Sequence, residues 1–426
     1  MVPITNFKKL SFLVYGLGLT GRSVVNFFKK NNIKNYEVWD DKNKNLYKER
    51  RPSNLNEALK KVDYIVLSPG VNIKKIKNKL PKYKKKIITD IDLIFLVKNF
   101  YKSIVVTGTN GKSTTCKIIA HLLKKNGFKI VIGGNIGTPV LDLKVNKNAF
   151  LIIEVSSFQL AYSKNICPDY AMLLNITNDH LDWHGNMKNY KDSKFKIFEL
   201  QNRNQYSFVN KKLKKEYKKR NFLGKLIIPE IKKYKKTKFK MKNSYLKSEI
   251  NDENMSYVFE LSKILKIDKN DFLESLKTCE GLPHRYEIFY KKNNCTFIND
   301  SKATSFQATK FALKNSKNIY WIVGGLPKKN DKIILSNLKK NIVKAYIIGK
   351  NISFFNNQLK NQIKCYTAKN LKKSIIKIFS DIKIYNKKYN IILFSPASAS
   401  FDQFLNFEKR GEKFKELIKF YVRKYI

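Results

Sequence analysis

The residues with the clearest chemical signature form a glycine-rich run, T-G-T-N-G-K-S-T, at positions 107–114. The run follows a β-branched stretch at 103–106 and ends in Gly-Lys-Ser, but Val106 stands where a standard phosphate loop has its first glycine. The chemistry survives this change, because backbone amides can wrap phosphates, Lys112 can reach the β and γ oxygens, and the Ser113 hydroxyl can bind Mg²⁺. We therefore predict an ATP site here, in preference to a glycine-rich turn without a ligand.

Two further candidates for phosphate or metal chemistry follow predicted strands. Glu154 lies at the end of a strand predicted over 150–155, and His180 lies in a polar run after a strand predicted over 170–175. Side chains at the carboxyl ends of parallel strands, beside a phosphate loop, are well placed to hold a metal. The alternatives are a helix-capping acid and a structural histidine, and we favour the structural role for the isolated His121.

A second glycine motif, G-L-G-L-T-G, occupies positions 16–21, between a predicted strand at 10–15 and a predicted helix at 22–30. Such a turn brings backbone amides close to a diphosphate, and Asp40 and Asp41 after the next strand (36–39) can bind a ribose hydroxyl. The motif alone does not separate NAD from UDP, and it also occurs as a turn that only packs.

The last third of the chain has three polar turns. Arg285 follows G-L-P-H, the run D-S-K-A-T follows a strand predicted over 296–299, and S-P-A-S-A-S-F-D-Q-F follows one predicted over 391–394. An arginine at a domain junction can bind nucleotide phosphates. Small hydroxyl residues that lead into a helix N-terminus suit a carboxylate ligand, although each turn can equally be a helix cap.

Strands alternate with helical patterns along the chain, which predicts α/β folding with parallel sheets. A chain of 426 residues corresponds to about three domains at roughly 150 residues each. The lysine-rich stretch from Lys211 to Lys242 is low in complexity, and we expect a solvated, loosely structured edge there. The sequence shows neither an apolar run long enough to cross a membrane nor a signal peptide, so we expect a cytoplasmic protein.

The formal net charge is +53, and it raises the question of a nucleic-acid partner. Only eight of the 86 basic residues are arginine, and lysine is spread along the chain instead of forming one stripe. Nucleic-acid sites favour arginine for bidentate contacts, so we favour compositional drift over a nucleic-acid role. The five dispersed cysteines predict reduced thiols and no zinc site.

Taken in order, nine motifs resemble those of the Mur ligase family over essentially the whole chain: G-L-G-L-T-G, S-P-G, T-G-T-N-G-K-S-T, G-G-N-I-G, E-V-S-S-F-Q-L, N-x-T-x-D-H-x-D, G-L-P-H-R, D-S-K-A-T and S-P-A-S-A-S-F-D-Q-F. The match is nearest to the branch of the family that adds D-glutamate. The resemblance implies three domains: a Rossmann-like UDP-substrate domain at 1–96, a central P-loop ATPase domain with a parallel sheet at 97–281, and a Rossmann-like D-glutamate domain at 282–426.

The resemblance also assigns site residues. It places the UDP-substrate on Leu19, Thr20, Asp41, Ser68 and Asn135, and D-glutamate on Lys302, Thr304, Lys328, Ser400 and Phe407. It places ATP on Gly108, Thr109, Asn110, Gly111, Lys112, Ser113, Thr114, Asn254, Arg285 and Asp300. Catalysis is assigned to Lys112, Glu154, His180 and Lys194, and metal binding to Ser113, Glu154, His180 and a carbamylated Lys194. Carbamylation would turn a cation into an anion that can bind Mg²⁺.

The activity that the resemblance implies is ATP-dependent ligation of D-glutamate to UDP-N-acetylmuramoyl-L-alanine through an acyl phosphate, in peptidoglycan precursor synthesis. The implied cofactors are ATP and two Mg²⁺ ions, and we expect a monomer with small-molecule substrates and no membrane partner. Alternatives are a ligase of the same family that adds another amino acid, a basic nucleic-acid-binding P-loop protein and an NAD-binding regulatory module.

The chain departs from the family pattern at three places. Ile250 replaces a family histidine in front of Asn251 and Asn254, the turn at 210–212 reads Asn-Lys-Lys where Asn-Ala-Asp-Asp is usual, and Ser305 stands where asparagine is usual. The first departure removes a hydrogen-bonding side chain near the adenine site. None of the three touches the phosphate loop or the predicted metal residues.

Overall fold

The computed structural model describes residues 4–73, 80–97, 99–135, 137–328, 331–385 and 387–425, without the side chains of residues 4, 5, 244 and 250. It contains three sheets flanked by helices, and the chain divides into two compact units, Met1–Cys279 and Glu280–Ile426. The predicted α/β class is confirmed. The three predicted domain ranges are finer than this division and stay predictions.

The first sheet has four parallel strands in the order β2-β1-β3-β4. Its strands are β1 (Phe12–Tyr15), β2 (Tyr36–Trp39), β3 (Tyr64–Leu67) and β4 (Ile87–Ile88), and its helices are α1 (Ile4–Phe7), α2 (Leu19–Lys30), α3 (Leu55–Lys61) and α4 (Asp90–Val97). β1 is apolar or aromatic at every position and fully buried, as expected for a strand covered on both faces.

The second sheet also lies in the first unit and has six parallel strands in the order β10-β9-β8-β5-β7-β6. The strands are β5 (Lys102–Thr107), β6 (Ile130–Gly134), β7 (Phe150–Glu154), β8 (Tyr170–Leu173), β9 (Tyr206–Val209) and β10 (Lys225–Ile227). β5, β7 and β8 are adjacent at the centre, so their carboxyl ends place the phosphate loop, Glu154 and the segment before His180 at one edge.

Nine helices accompany this sheet among the described residues. They are α5 (Lys112–Lys125), α6 (Ser157–Tyr162), α7 (Leu181–His184), α8 (Met187–Phe195), α9 (Lys214–Lys218), α10 (Ile231–Lys238), α11 (Ser244–Lys247), α12 (Asp252–Ile264) and α13 (Lys269–Ser275). The expectation of a loosely structured stretch from Lys211 to Lys242 is wrong, because α9, β10 and α10 lie there. Tyr217 and Tyr234 are buried in it, and these apolar anchors fold a segment whose composition is otherwise polar.

The third sheet belongs to the second unit and has the strand order β11-β12-β16-β13-β14-β15. The strands are β11 (Glu287–Lys292), β12 (Cys295–Asn299), β13 (Ile319–Gly324), β14 (Ile342–Ile348), β15 (Cys365–Lys369) and β16 (Asn390–Phe394), and the helices are α14 (Phe306–Lys314), α15 (Ile352–Leu359), α16 (Leu371–Tyr385) and α17 (Phe407–Tyr425). Only β11 is antiparallel, paired with β12 across a two-residue turn in which Asn293 has φ +50°. Asparagine tolerates this conformation, which explains the hairpin that the sequence analysis missed.

None of the helices within the described ranges combines the length and the apolar character that crossing a bilayer requires.

Candidate functional site

The phosphate loop connects β5 to α5, and its backbone needs glycine at position 111. Gly111 has φ +85°, and a Cβ there would lie 2.3 Å from the Oδ1 atom of Asn254. The Lys112 ammonium donates hydrogen bonds to the carbonyls of Gly108 and Thr109, both at 3.0 Å. The loop and Asn254, which the sequence analysis assigned to one ATP site, are therefore neighbours.

Glu154 lies at the carboxyl end of β7, beside the phosphate loop, and is 3% exposed. Its Oε2 atom accepts a hydrogen bond from the Ser113 hydroxyl at 2.5 Å, and its Oε1 atom accepts one from the Asn135 amide at 2.9 Å. Ser113 and Glu154, two of the predicted metal ligands, are thus in direct contact. Asn135, which was predicted to bind the UDP-substrate, donates its hydrogen bond to this same carboxylate.

Lys194 projects from α8 and is buried, with 1% exposure. Its ammonium donates to the Gly108 carbonyl at 2.8 Å and lies 4.8 Å from the centre of the Tyr190 ring. Burial and then the charge of Lys112 lower the pKa of Lys194 well below its usual value. The structure therefore brings Lys194 against the phosphate loop and favours its neutral amine.

Tyr190 is a member of this site that the sequence analysis did not select. Its hydroxyl is 2.9 Å from the Thr109 hydroxyl, and Thr109 also binds the backbone of Thr177. Tyr190 and Lys194 are four residues apart and lie on one face of α8. The sequence signal for Tyr190 was its i, i+4 spacing from Lys194, which was itself a predicted site residue.

His180 is the N-cap residue immediately before α7. It has a positive φ of 52°, and its side chain is 42% exposed. The ring lies 4.7 Å from the Phe158 ring, and Nε2 lies 3.5 Å from Asp179. Ser157, the first residue of α6, holds the same segment through a 3.0 Å hydrogen bond with His184. Helix α6, directly after Glu154, therefore positions the histidine segment.

The donors at this edge fit Mg²⁺. The Ser113 hydroxyl and the Glu154 carboxylate are hard oxygen ligands, and Mg²⁺ is usually held by one or two carboxylates together with substrate phosphates and water. In the part of the chain that the structure describes, no three His, Cys, Asp or Glu side chains form a metal cage. The two oxygen donors are compatible with this Mg²⁺ pattern.

The glycine motif of the first sheet forms a close turn at the ends of β1 and β3. A Cβ on Gly21 would lie 1.9 Å from the carbonyl oxygen of Gly16, and the Ser68 hydroxyl donates to that carbonyl at 2.6 Å. Leu19 and Thr20 occupy the first turn of α2, where Leu19 is 74% exposed. The predicted UDP-substrate residues at 19, 20 and 68 therefore lie around one turn.

The two aspartates after β2 have different partners. Asp40 accepts the backbone amides of Leu17, Lys42 and Asn43, so it holds the glycine turn itself. Asp41 accepts from the Tyr15 hydroxyl and the Trp39 indole at 3.0 and 2.9 Å. Asp41, which the family resemblance assigned to the UDP-substrate, stays a prediction.

In the second unit, Asp300 follows β12 and lies beside the end of β16. It accepts the Tyr286 amide at 3.0 Å and the Ser395 hydroxyl at 2.7 Å. Burial raises the pKa of Asp300 to about 7, while the hydrogen bonds and the Arg285 charge act in the opposite direction. The predicted ATP residues Arg285 and Asp300 are therefore electrostatic neighbours.

The predicted D-glutamate residues gather at the same edge of the third sheet. The Lys302 ammonium lies 3.9 Å above the centre of the Phe407 ring. Leu326 and Ala399 form an isolated antiparallel bridge, which brings the segment of Lys328 next to that of Ser400. Thr304 follows Lys302 just before α14.

Arg410 is the clearest residue that the sequence analysis missed. It is 1% exposed in α17 and binds the Ser301 hydroxyl and the carbonyls of Ser301 and Ser398. These contacts join the D-S-K-A-T turn to the S-P-A-S-A-S turn. The sequence did contain a signal for Arg410: it is an arginine three residues after Phe407, on a helix whose basic residues are mostly lysine.

Comparison with known proteins bears on the family of this chain. The family profile described as "Mur ligase middle domain" matches residues 106–275, and that described as "Mur ligase MurD-like, N-terminal domain" matches residues 10–89. A UDP-N-acetylmuramoylalanine--D-glutamate ligase of Rickettsia felis is 34% identical over 95% of this chain and 96% of its own. The enzyme of the same name from Buchnera aphidicola is 35% identical over 97% of this chain and 99% of its own.

Solved structures share the fold. MurF ligase from Thermotoga maritima in complex with ADP has a TM-score of 0.58 at 15% identity, covering 99% of this chain and 97% of its own. UDP-N-acetylmuramate-alanine ligase MurC from Thermotoga maritima has a TM-score of 0.56 at 16% identity, covering 96% and 99%. The sequence similarity to the curated enzymes extends over nearly the whole length of both chains, and therefore this chain belongs to the Mur ligase family.

Proposed function

We propose that this protein is an ATP-dependent ligase that joins D-glutamate to UDP-N-acetylmuramoyl-L-alanine, in cytoplasmic synthesis of peptidoglycan precursors. The observation that carries the proposal is the 34–35% identity, over nearly full length, to enzymes named for this reaction. The phosphate loop with Lys112, Ser113 and Glu154 supports the ATP-dependent step. We further propose that the protein acts as a monomer.

The proposed reaction has two steps. The alanyl carboxylate attacks the γ-phosphorus of ATP, the bond to the β-γ bridging oxygen breaks, and an acyl phosphate and ADP result. The amine of D-glutamate then attacks the acyl carbon, loses a proton, and inorganic phosphate leaves as the amide forms. Activation is needed because a carboxylate is a poor acyl donor.

In the first step this chain mainly positions groups and neutralises charge, as phosphoryl transfer requires. Lys112 now rests on the carbonyls of its own loop, and it would exchange them for the β and γ oxygens of ATP. Bound Mg²⁺ would neutralise phosphate charge, and Ser113, Glu154 and His180 would hold it. Asn254, Arg285 and Asp300 are proposed to complete the ATP contacts.

The environment of Lys194 supports the proposed carbamate. Its lowered pKa favours the neutral amine, which can attack CO₂ with loss of one proton. The product is an anion with carboxylate-like oxygens beside the proposed metal ligands, where a second Mg²⁺ ion would need an oxygen donor.

The UDP-substrate is proposed to bind at Leu19, Thr20, Asp41, Ser68 and Asn135, and D-glutamate at Lys302, Thr304, Lys328, Ser400 and Phe407. In the second unit the two lysines supply the charge for the two carboxylates of D-glutamate. The position of the Lys302 ammonium over the Phe407 ring supports this assignment, because it puts a positive charge beside another of the proposed D-glutamate residues.

The test is phosphate release from ATP, with UDP-N-acetylmuramoyl-L-alanine and D-glutamate added singly and together. Release should require both substrates. Replacing D-glutamate with L-lysine or diaminopimelate separates the other ligases of the family. Phosphate release that is independent of both substrates, or stimulated by nucleic acid, would contradict the proposal.

A further inference from the structure

Asn175, which follows β8, binds the backbone of the phosphate loop through several hydrogen bonds. The Asn175 carbonyl accepts the Thr109 amide at 2.9 Å, and its side-chain Oδ1 accepts the Asn110 amide at 2.9 Å. Its Nδ2 atom lies 3.3 Å from the Asn110 carbonyl. Asn175 therefore binds both polar groups of the Asn110 backbone and sets the path of the loop.

Glu253, in the first turn of α12, fixes the orientation of that amide. Its Oε2 atom accepts a hydrogen bond from Asn175 Nδ2 at 3.1 Å, and its Oε1 atom accepts one from Asn210 Nδ2 at 2.5 Å. A carboxylate only accepts hydrogen bonds, so both amides must present their NH₂ groups to it. If the Asn175 amide were flipped, its oxygen would face two other oxygens, that of the Glu253 carboxylate and that of the Asn110 carbonyl.

The charge around Glu253 supports the same interpretation. Burial raises the pKa of Glu253, and the hydrogen bonds of Asn175 and Asn210 and the charge of Lys212 act against that rise. Each of these three partners favours the ionised, acceptor-only form.

Two places where the chain departs from the family pattern meet in this contact. Glu253 lies in the run that begins with Ile250, and Asn210 and Lys212 lie in the altered turn after β9. The Glu253 carboxylate joins the two segments to each other and, through Asn175, to the phosphate loop.

We propose that Glu253 is a positioning residue of the ATP site: through Asn175 it holds the phosphate loop in its binding conformation, with Asn210 and Lys212 as its supports. This inference rests on the proposed function, because it assumes that the loop binds a nucleoside triphosphate. The role proposed for Glu253 is exerted through Asn175, whose amide it orients.

The experiment measures ATP, ITP and ADP binding by calorimetric titration, in the presence of Mg²⁺, for wild type, Glu253→Ala and Glu253→Gln. Losing hydrogen bonds to a charged acceptor should weaken binding by about tenfold in the alanine variant. The loss should be equal for ATP and ITP because the phosphates, not the base, contact the loop. Glu253→Gln keeps one acceptor oxygen, so its affinity for ATP should lie between those of wild type and Glu253→Ala.

Glu260→Ala is the matched control. Glu260 lies on the same helix, about two turns further along, and its carboxylate pairs with Lys263. This variant should bind nucleotides as wild type does. All variants should bind the UDP-substrate normally.

Unchanged nucleotide affinity in Glu253→Ala would overturn the inference. A loss confined to ATP, with ITP unaffected, would overturn it in favour of a base contact, and an equal loss of UDP-substrate affinity would overturn it in favour of general destabilisation. Should Glu253→Ala not fold, Glu253→Gln and Asn210→Ala carry the same test. Wild-type protein that binds no nucleoside triphosphate would refute the proposed function itself, a result distinct from the others.

Discussion

Each of the two units buries a basic side chain at the carboxyl edge of a sheet that is parallel or mainly parallel, and the two side chains differ in chemistry. Lys194 binds one carbonyl of the phosphate loop, and its pKa is lowered well below the usual value. Arg410 binds two carbonyls and a hydroxyl, and although burial lowers its pKa to about 10, it stays charged at neutral pH. The first site therefore holds an amine that can change its charge state, whereas the second holds a fixed charge that braces two turns.

The largest effect should come from Lys194, because its proposed role requires an amine that can be converted into an anion. We expect both Lys194→Ala and Lys194→Arg to lower the rate of ligation by about 10³-fold, since a metal ligand and its charge are lost. Small added carboxylates should partly restore the alanine variant but not the arginine variant, in which the site is filled by a permanent cation. Phosphate-release assays measure this, and normal activity of either variant without additives would rule out the carbamate.

Lys112→Ala tests the neighbouring lysine, which belongs to the phosphate loop itself. Removing one electrostatic contact to the transferred phosphoryl group should cost about 10²–10³-fold in turnover. Binding of the UDP-substrate, measured by titration, should be unchanged. Lys124→Ala, in the last turn of the same helix α5, is the control and should retain activity. Wild-type turnover in Lys112→Ala would count against an ATP site at this loop.

Arg410 tests the second unit. Arg410→Lys keeps a charge but loses the fork that reaches Ser301 and Ser398 together, so we expect the KM for D-glutamate to rise by about tenfold. The free energy of unfolding should fall by about 1–3 kcal/mol because buried carbonyls lose their donors. Two controls apply. The KM of Arg410→Lys for ATP should be unchanged, and Lys413→Ala, at an exposed position on the same helix, should have the KM of wild type for D-glutamate. An unchanged KM for D-glutamate would leave Arg410 with a role in stability alone.

The smallest effect concerns stability and compares two buried carboxyl groups. Burial raises the pKa of Asp90 to about 6, as it raises that of Asp300 to about 7. A folded-state pKa above the unfolded value means that the folded state keeps the proton longer, so the stability contribution is full below about pH 4 and is lost as the pH rises through about 6 for Asp90.

Asp90→Asn removes this titration. We expect the free energy of unfolding, measured with denaturant, to fall between pH 4 and pH 7 in wild type. In the variant this fall should be smaller by roughly 1–3 kcal/mol. The amide oxygen of the substituted side chain can still accept the hydrogen bond that Gln159 donates to Asp90, so turnover should change little. Parallel pH profiles for the two proteins would contradict the assigned pKa.

The phosphate loop, the glycine turn and the strands that carry them were predictable because their patterns are local. The predicted strand at 36–39 coincides with β2, and the predicted strand at 391–394 covers all but the first residue of β16. The lysine-rich segment was misjudged because two buried tyrosines outweigh its composition, and burial is a tertiary property.

By itself, the sequence determined the α/β class, the order of the motifs and the family. Only the tertiary structure decided which polar groups face each other: that Asn135 lies on Glu154, that Lys194 meets the Gly108 carbonyl, and that Arg410 joins two turns separated by about a hundred residues. The physical reason is that glycine turns and strand periodicity are set by neighbouring residues, whereas burial and hydrogen-bond partners depend on which strand ends the sheet places side by side.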